Sequence, residues 1–209
     1  MCFPFRPKLI GRHAPIVPGS ASYTTPGVYS LTVPYHRTMT FDIRGGGAGG
    51  GGPGGIVSFS TYDGGDGSAA GYSQVYYSPN SGLLNVIGYG GDGGGGLKFN
   101  GSAWVSSGDG SPGSASGGDT NIPGGGAAGG ARGHMVVISS GNTLYAGNGG
   151  YGGRAVRTVS RGLILPGQAL VIIVGSGAGA GAAGSNDGQY ISQSGASAGA
   201  AGAVYISWT

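Results

Sequence analysis

Short stretches of alternating apolar and polar residues recur along this chain, and most of them run straight into glycine. TMTFDIR places Met39, Phe41 and Ile43 on one face opposite Thr40 and Asp42, the period of a half-buried strand, and GGGAGGGGPGG follows at once. The same event recurs in LLNVIGYGGDGGGG from Leu83, TNIPGGGAAGGARG from Thr120, TLYAGNGGYGG from Thr143 and LVIIVGSGAGAGAAG from Leu170. A last tract, GASAGAAG, runs the other way and feeds the closing strand AVYISW. Residues 28–33, 56–62, 71–77, 134–139 and 155–161 complete the strand set, with PNSG and Pro166-Gly167 as turns. The continuous apolar run 170–174 predicts a strand buried on both faces. LKFNGSAWV and DTNI, within the glycine-dense middle, read as ends of glycine segments and not as strands of their own. No window of eleven or more residues carries a helical period, so the expected class is all-β, a β-sandwich interleaved with glycine-rich extended segments and essentially no α-helix.

Composition sharpens the question of what the glycines do. Glycine inside regular structure costs roughly 0.5–1 kcal/mol relative to alanine, and there are 53 of them. Disorder competes as an explanation, because Gly and Pro together reach the share associated with low complexity. Against it, the tracts carry few charges, and strands bracket them on both sides. A chain without side chains can also lie beside another at hydrogen-bonding distance. A threefold extended helix turns its N–H and C=O groups outward to meet such neighbours, which is the polyglycine II arrangement.

Charge and cysteine exclude several function classes. Charged residues are 8% of the chain, the net charge is +3, and the 7 acidic residues are all Asp, mostly beside Gly or Asn as in ordinary turns. The basic residues do not cluster, so the sequence predicts no nucleic-acid partner. Cys2 is the sole cysteine and excludes an internal disulfide. The opening lacks a signal-peptide core and no run reaches a membrane span, so no membrane insertion is expected and the chain is read as made and assembled in a cytoplasm. Residues 1–22 hold Pro4, Pro7, Pro15 and Pro18 among cations and form a Pro-rich basic docking arm, with Phe3, Phe5, Arg6, Leu9 and Ile10 as its contact residues. Residues 23–209 form the glycine-rich β domain.

Candidate chemistry is sparse. Neither Lys8 nor Lys98 completes a phosphate loop, and His13, His36 and His134 lie far apart without metal-ligand spacing. Asp63 and Asp66 resemble a fragment of a calcium loop but lack further oxygen ligands at the right offsets, so they read as turn residues. The sequence assigns no catalytic, cofactor-binding or metal-ligating residue and predicts a non-enzyme without cofactor. Tyr62, Tyr72, Tyr76, Tyr77, Tyr89, Trp104 and Tyr151 flank the glycine tracts and are the candidate surface-binding aromatics, since Tyr and Trp combine rigid apolar area with a polar handle. The competing role for each is to cap a small β core.

YTTPGVYSLTVP…TMTFDIRGGGAGGGG, LPGQALVIIVGSGAGAGAAG and GAAGAVYISW together resemble the glycine-rich domains of tailed-bacteriophage tail proteins, over residues 23–209. By looser analogy, the tip adhesins of T-even-like tail fibres carry polyglycine II bundles whose connecting loops touch the host receptor. The resemblance implies a virion structural protein at the tail tip or tail fibre that contributes to host attachment. Its expected partners are other virion proteins through the arm, further copies of itself, and a host surface receptor, either carbohydrate or outer-membrane protein. A capsid-decorating or head-fibre protein without receptor contact is the alternative.

Overall fold

The computed structural model describes residues 15–77 and 84–209. The arm residues Phe3, Phe5, Arg6, Leu9 and Ile10, and the PNSG turn, lie outside them.

The chain makes repeated excursions from a β-sandwich to a distant set of hairpins. It enters through β1 (Gly19–Tyr23), β2 (Gly27–Thr32) and β3 (Thr38–Arg44), then leaves as an extended rod, rod 1 (residues 45–54). The hairpin β4 (Gly55–Val57)–β5 (Ser60–Tyr62) turns it back along rod 2 (63–72) to β6 (Ser73–Tyr77) and β7 (Asn85–Gly88). Rod 3 (89–96) leads out to the hairpin β8 (Leu97–Phe99)–β9 (Trp104–Ser106), and rod 4 (107–114) returns to β10 (Ala115–Ser116) and β11 (Thr120–Ile122). Rod 5 (125–133) leads to β12 (His134–Val137) and β13 (Thr143–Tyr145), and rod 6 (146–153) returns to β14 (Arg154–Ser160) and β15 (Ala169–Val174). Rod 7 (175–184) goes out to β16 (Ile191–Ser194), and rod 8 (195–202) comes back to β17 (Ala203–Trp208).

The sandwich consists of two antiparallel sheets, ordered β1-β17-β3-β14-β11 and β10-β7-β6-β15-β2. The alternation read in β3 sets its inner face: Met39, Phe41 and Ile43 are fully buried against Val75, Val86, Leu170, Ile172 and Val204. β15 departs from the expectation of burial on both faces. Leu170, Ile172 and Val174 are buried while Val171 and Ile173 are only half-covered, because nothing packs over the outer face of that sheet among the described residues. Residues 56–62 are a hairpin and not one strand, and LKFNGSAWV is likewise a hairpin. DTNI supplies β11, which pairs with β14. The strand β1 begins inside the span read as arm, held by β17 and by the Trp208 indole N–H donating to the Val17 carbonyl at 3.1 Å.

Rod 1 is the axis of the molecule, and its bonding repeats every third residue. The N–H groups of Gly45, Ala48 and Gly51 donate to Gly153, Gly150 and Gly147 on rod 6. Those of Gly46, Gly49 and Gly52 donate to Gly71, Ser68 and Gly65 on rod 2, and those of Gly47 and Gly50 to Ala200 and Ser197 on rod 8. Its carbonyls accept from Gly91, Gly94 and Leu97 on the rod 3 side, from Ala127, Gly130 and Gly133 on rod 5, and from Ala178, Gly181 and Gly184 on rod 7. Rod 1 therefore donates only to neighbours running antiparallel to it and accepts only from parallel ones. The surrounding rods bond to each other in the ring order 2-3-6-5-8-7, and rod 4 sits outside in the groove between rods 3 and 6. A period of three and lateral bonds are the geometry of polyproline II-type helices packed side by side, which at ~3.1 Å per residue makes rod 1 about 30 Å long. Pro53 fits because its φ suits this helix, and it stands one step past Gly50, the last residue of rod 1 that donates to rod 8.

Sterics explain why these positions are glycine. A Cβ placed on Gly47 or Gly49 would fall under 3.0 Å from the carbonyl of Ala128 or Gly179, whereas one on Gly179 meets nothing within 4 Å. The backbone of a neighbouring rod cannot move aside without breaking its own bonds. Gly47→Ala is expected to prevent folding or lower stability by more than about 3 kcal/mol, while Gly179→Ala is neutral or stabilising by up to about 1 kcal/mol. Differential scanning calorimetry of the two variants checks this, and equal melting temperatures would contradict it.

Candidate functional site

Because rods 1, 3, 5 and 7 leave the sandwich and rods 2, 4, 6 and 8 return to it, the hairpins gather at the far end of the bundle. There they share a second, small core. Leu97, Met135, Ala146 and Ile191 are buried, with Ile56, Trp104, Val137, Leu144 and Tyr190 packed against them. Above this core opens a cleft of about 400 Å³ walled by Ile56, Phe59, Val137, Ile138, Gln189 and Tyr190, with Ser139 at its edge.

The β4–β5 turn that builds one wall uses a pair that turn chemistry disfavours. Val57 pairs with Ser60, so the loop has two residues, and these normally need positive φ and favour Asn-Gly. Here Ser58 (φ 45°) and Phe59 (φ 68°) adopt it, at a strain of roughly 1–2 kcal/mol per residue. The conformation leaves the Phe59 ring 83% exposed, 5.0 Å from the Tyr190 ring. The strained turn thus holds one large apolar group open to solvent.

Asp187 holds the two loops together. One carboxylate oxygen accepts the Ser58 N–H at 3.0 Å and the other the Gln189 N–H at 3.1 Å. Hydrogen bonds to the charged form, that from Ser58 foremost, keep its pKa below the usual carboxylate range.

The aromatics expected to bind are placed differently. Tyr62 ends β5 and Trp104 begins β9, so both belong to the distal end, but neither lines the cleft. Trp104 stacks on Phe99 at 5.5 Å and covers Gly54, which is the role of a core cap. Tyr72, Tyr76, Tyr77, Tyr89 and Tyr151 sit at or next to the sandwich end of their rods and strands. Of these, Tyr77 packs on the main core, and its hydroxyl accepts a hydrogen bond from Gln168 at 2.8 Å. Phe59, Ile138, Asp187 and Tyr190 were not legible as a group, because a Ser-Phe turn has no turn signature and FSTY continues the alternation of a strand.

The aspartates mostly do something other than close their own turns. Asp63 accepts the Phe99 N–H at 2.9 Å, Asp109 the Asn148 N–H at 2.6 Å, and Asp119 the Thr158 N–H at 2.7 Å. Asp66 accepts from the Gly96 N–H and from Lys98, in that order the causes of its lowered pKa. These carboxylates tie neighbouring segments across a gap that bare backbone does not bridge. Asp42, on the outer face of the sandwich, receives Arg154 through two bonds of 2.8 Å and Arg44 at 3.0 Å. Burial pushes its pKa up, but those guanidinium bonds outweigh it and hold it low.

Charge is divided along the long axis. Among the described residues, Arg37, Arg44, Arg154, Arg157 and Arg161 lie in the sandwich with Asp42 and Asp119. Lys98 and Arg132 lie in the bundle and distal hairpins with Asp63, Asp66, Asp92, Asp109 and Asp187. No group of three metal-binding side chains occurs among the described residues.

Comparison with protein-family models, curated proteins and solved structures gives no match.

Asp187→Ala should abolish the Phe59–Tyr190 ring contact in nuclear Overhauser spectra while leaving the Met135 and Leu97 signals unchanged. In the unaltered chain the clasp contributes fully above the ordinary aspartate pKa and is lost as pH falls through the depressed one. The ring contact should therefore fade on acidification well before the rods melt. Persistence of that contact in the variant would remove Asp187 from this role.

Proposed function

We propose that this chain is a non-enzymatic structural protein of a tailed-bacteriophage virion, carried at the tail tip or a tail fibre, and that it contributes to host attachment through its distal hairpins. The observation that carries the reading is polarity. The sandwich stands at one end of the rod bundle, while the exposed cleft lies at the other. The carbonyl of Thr209 accepts from Arg37 and Thr38, which fixes that terminus to the sandwich. One end is thus free to be held by a particle through the arm, together with exposed Tyr35 and Leu165, and the other to reach a receptor.

Stiffness supports the same reading. A flexible spacer loses affinity for a surface to the entropy of ordering it, whereas a bundle whose rods are bonded on several sides presents its loops already placed. The sequence resemblance to glycine-rich tail domains points the same way.

Immunogold electron microscopy of the phage should label the tail tip or fibres. Deleting residues 1–14 should give particles that lack the protein. Phe59→Ala combined with Tyr190→Ala should leave it on the particle but lower the adsorption rate constant at least about tenfold, as expected for loss of a central aromatic anchor. Label confined to heads, or unchanged adsorption of particles lacking the protein, would refute the proposal.

A further inference from the structure

We infer that the distal cleft receives one large apolar side chain, carried on a partner-protein loop with a basic residue next to it. This deepens the attachment reading and rests on it for where the partner stands, but the chemistry follows from the cleft alone.

The walls select an apolar group. Ile56, Val137 and Ile138 are aliphatic, Phe59 and Tyr190 pack on each other with tilted rings 5.0 Å apart by centroid and add aromatic surface, and no wall residue carries a formal charge. The side-chain polar groups are the Ser139 hydroxyl, the Gln189 amide and the Tyr190 hydroxyl. A saccharide needs many convergent donors and acceptors for its hydroxyls, and the surface of this cleft is mostly apolar. An apolar side chain needs only walls and exclusion of water, which this site supplies.

Charge then selects among apolar ligands. The Asp187 carboxylate is bonded to the backbone of Gln189, which lines the cleft, and of Ser58, next to the lining Phe59, so a negative charge stands beside the site. The bundle and hairpins around it carry more Asp than Lys or Arg. An acyl chain with a carboxylate or phosphate head would bring anion to anion, whereas a Lys or Arg beside the inserted side chain meets complementary charge. The turn sets the backbone under the ring: Ser58 and Phe59 are at positive φ, and the Ser58 N–H donates to Asp187.

The test uses the full chain with 13C-labelled methyl groups and four probes: N-acetyl-Phe-Lys-amide, N-acetyl-Phe-Glu-amide, methyl α-glucopyranoside and hexanoate. The Phe-Lys dipeptide should shift the Ile56, Val137 and Ile138 methyls saturably. The Phe-Glu dipeptide should bind at least about threefold more weakly at low salt, with the gap closing near ~0.5 M salt as screening shortens to a few ångströms. The glycoside and hexanoate should leave those methyls in place.

Phe59→Ala should weaken the Phe-Lys dipeptide at least about fivefold while the Leu97 and Met135 methyls keep their positions. Ile138→Ser, at a lining residue 55% exposed, should do the same. Methyl shifts with the glycoside but not the dipeptides, equal or tighter binding of Phe-Glu, or no shift with any probe would each overturn the inference. These outcomes are separable from the virion reading: head-only gold labelling would defeat that reading with dipeptide binding intact, and absent dipeptide binding would leave tail labelling untouched.

Discussion

Every non-proline residue has one backbone donor and one acceptor, and here their directions rotate by a third of a turn per residue. That single fact sets the architecture. In a sheet, a strand finds partners on two sides; in rod 1, three donor directions and three acceptor directions meet rods on six sides. The condition is that main chains approach closely. A carbonyl occupies the place of a Cβ at nearly every inward position, so glycine is required there for lack of volume and not for unusual dihedrals. Ala48 is the one methyl admitted in the rod 1 run 45–52, and it is fully buried.

A lattice of this kind has no apolar interior, which accounts for the small hydrophobic complement of the chain. The two clusters of packed side chains stand at the ends of the bundle: Phe41, Met39 and Ile172 among others in the sandwich, and Met135, Leu97 and Ile191 under the hairpins. Their role is to fix the rods in register at each end, where a slip by one residue would send every N–H toward the wrong neighbour. Because rods that alternate in direction are joined by short connections, three of them hairpins and the fourth carrying β16, each rod's partners are placed by its own chain connection at one end and by the sheet order at the other.

Much of this was legible in the sequence where side chains still alternate. β3, β14 and β17 follow from their apolar period, and the densest glycine tracts from their lack of side chains. Rods 2 and 4 were not legible, because DGGDGSAAG and SGDGSPGS look like turns. Their signal is spacing: Gly64 and Gly67 both face rod 1, and Gly110 and Gly113 both face rod 3, while the Asp and Ser between them point elsewhere. A peripheral rod needs glycine on the sides that face other rods, every third residue, and tolerates polar side chains on the rest. Density was the wrong measure for rods at the edge. The cleft was hidden for a different reason, since its strained turn contradicts local preference and is held by Asp187 from another part of the chain.

That contradiction is what the bundle permits. A two-residue Ser-Phe turn would not close an isolated hairpin against its own strain, and β4 and β5 are only three residues each. They persist because rod 1 and rod 2 deliver them already side by side, bonded through Gly46, Gly49 and Gly52. The side chains of Ser58, Phe59 and Ile138 belong neither to the rod lattice nor to the distal core, whereas Ile56, Val137 and Tyr190 wall the cleft and pack on that core at once. The rods and the exposed part of the cleft are therefore set by different residues, so Phe59 and Ile138 can change without any change in the scaffold that holds them.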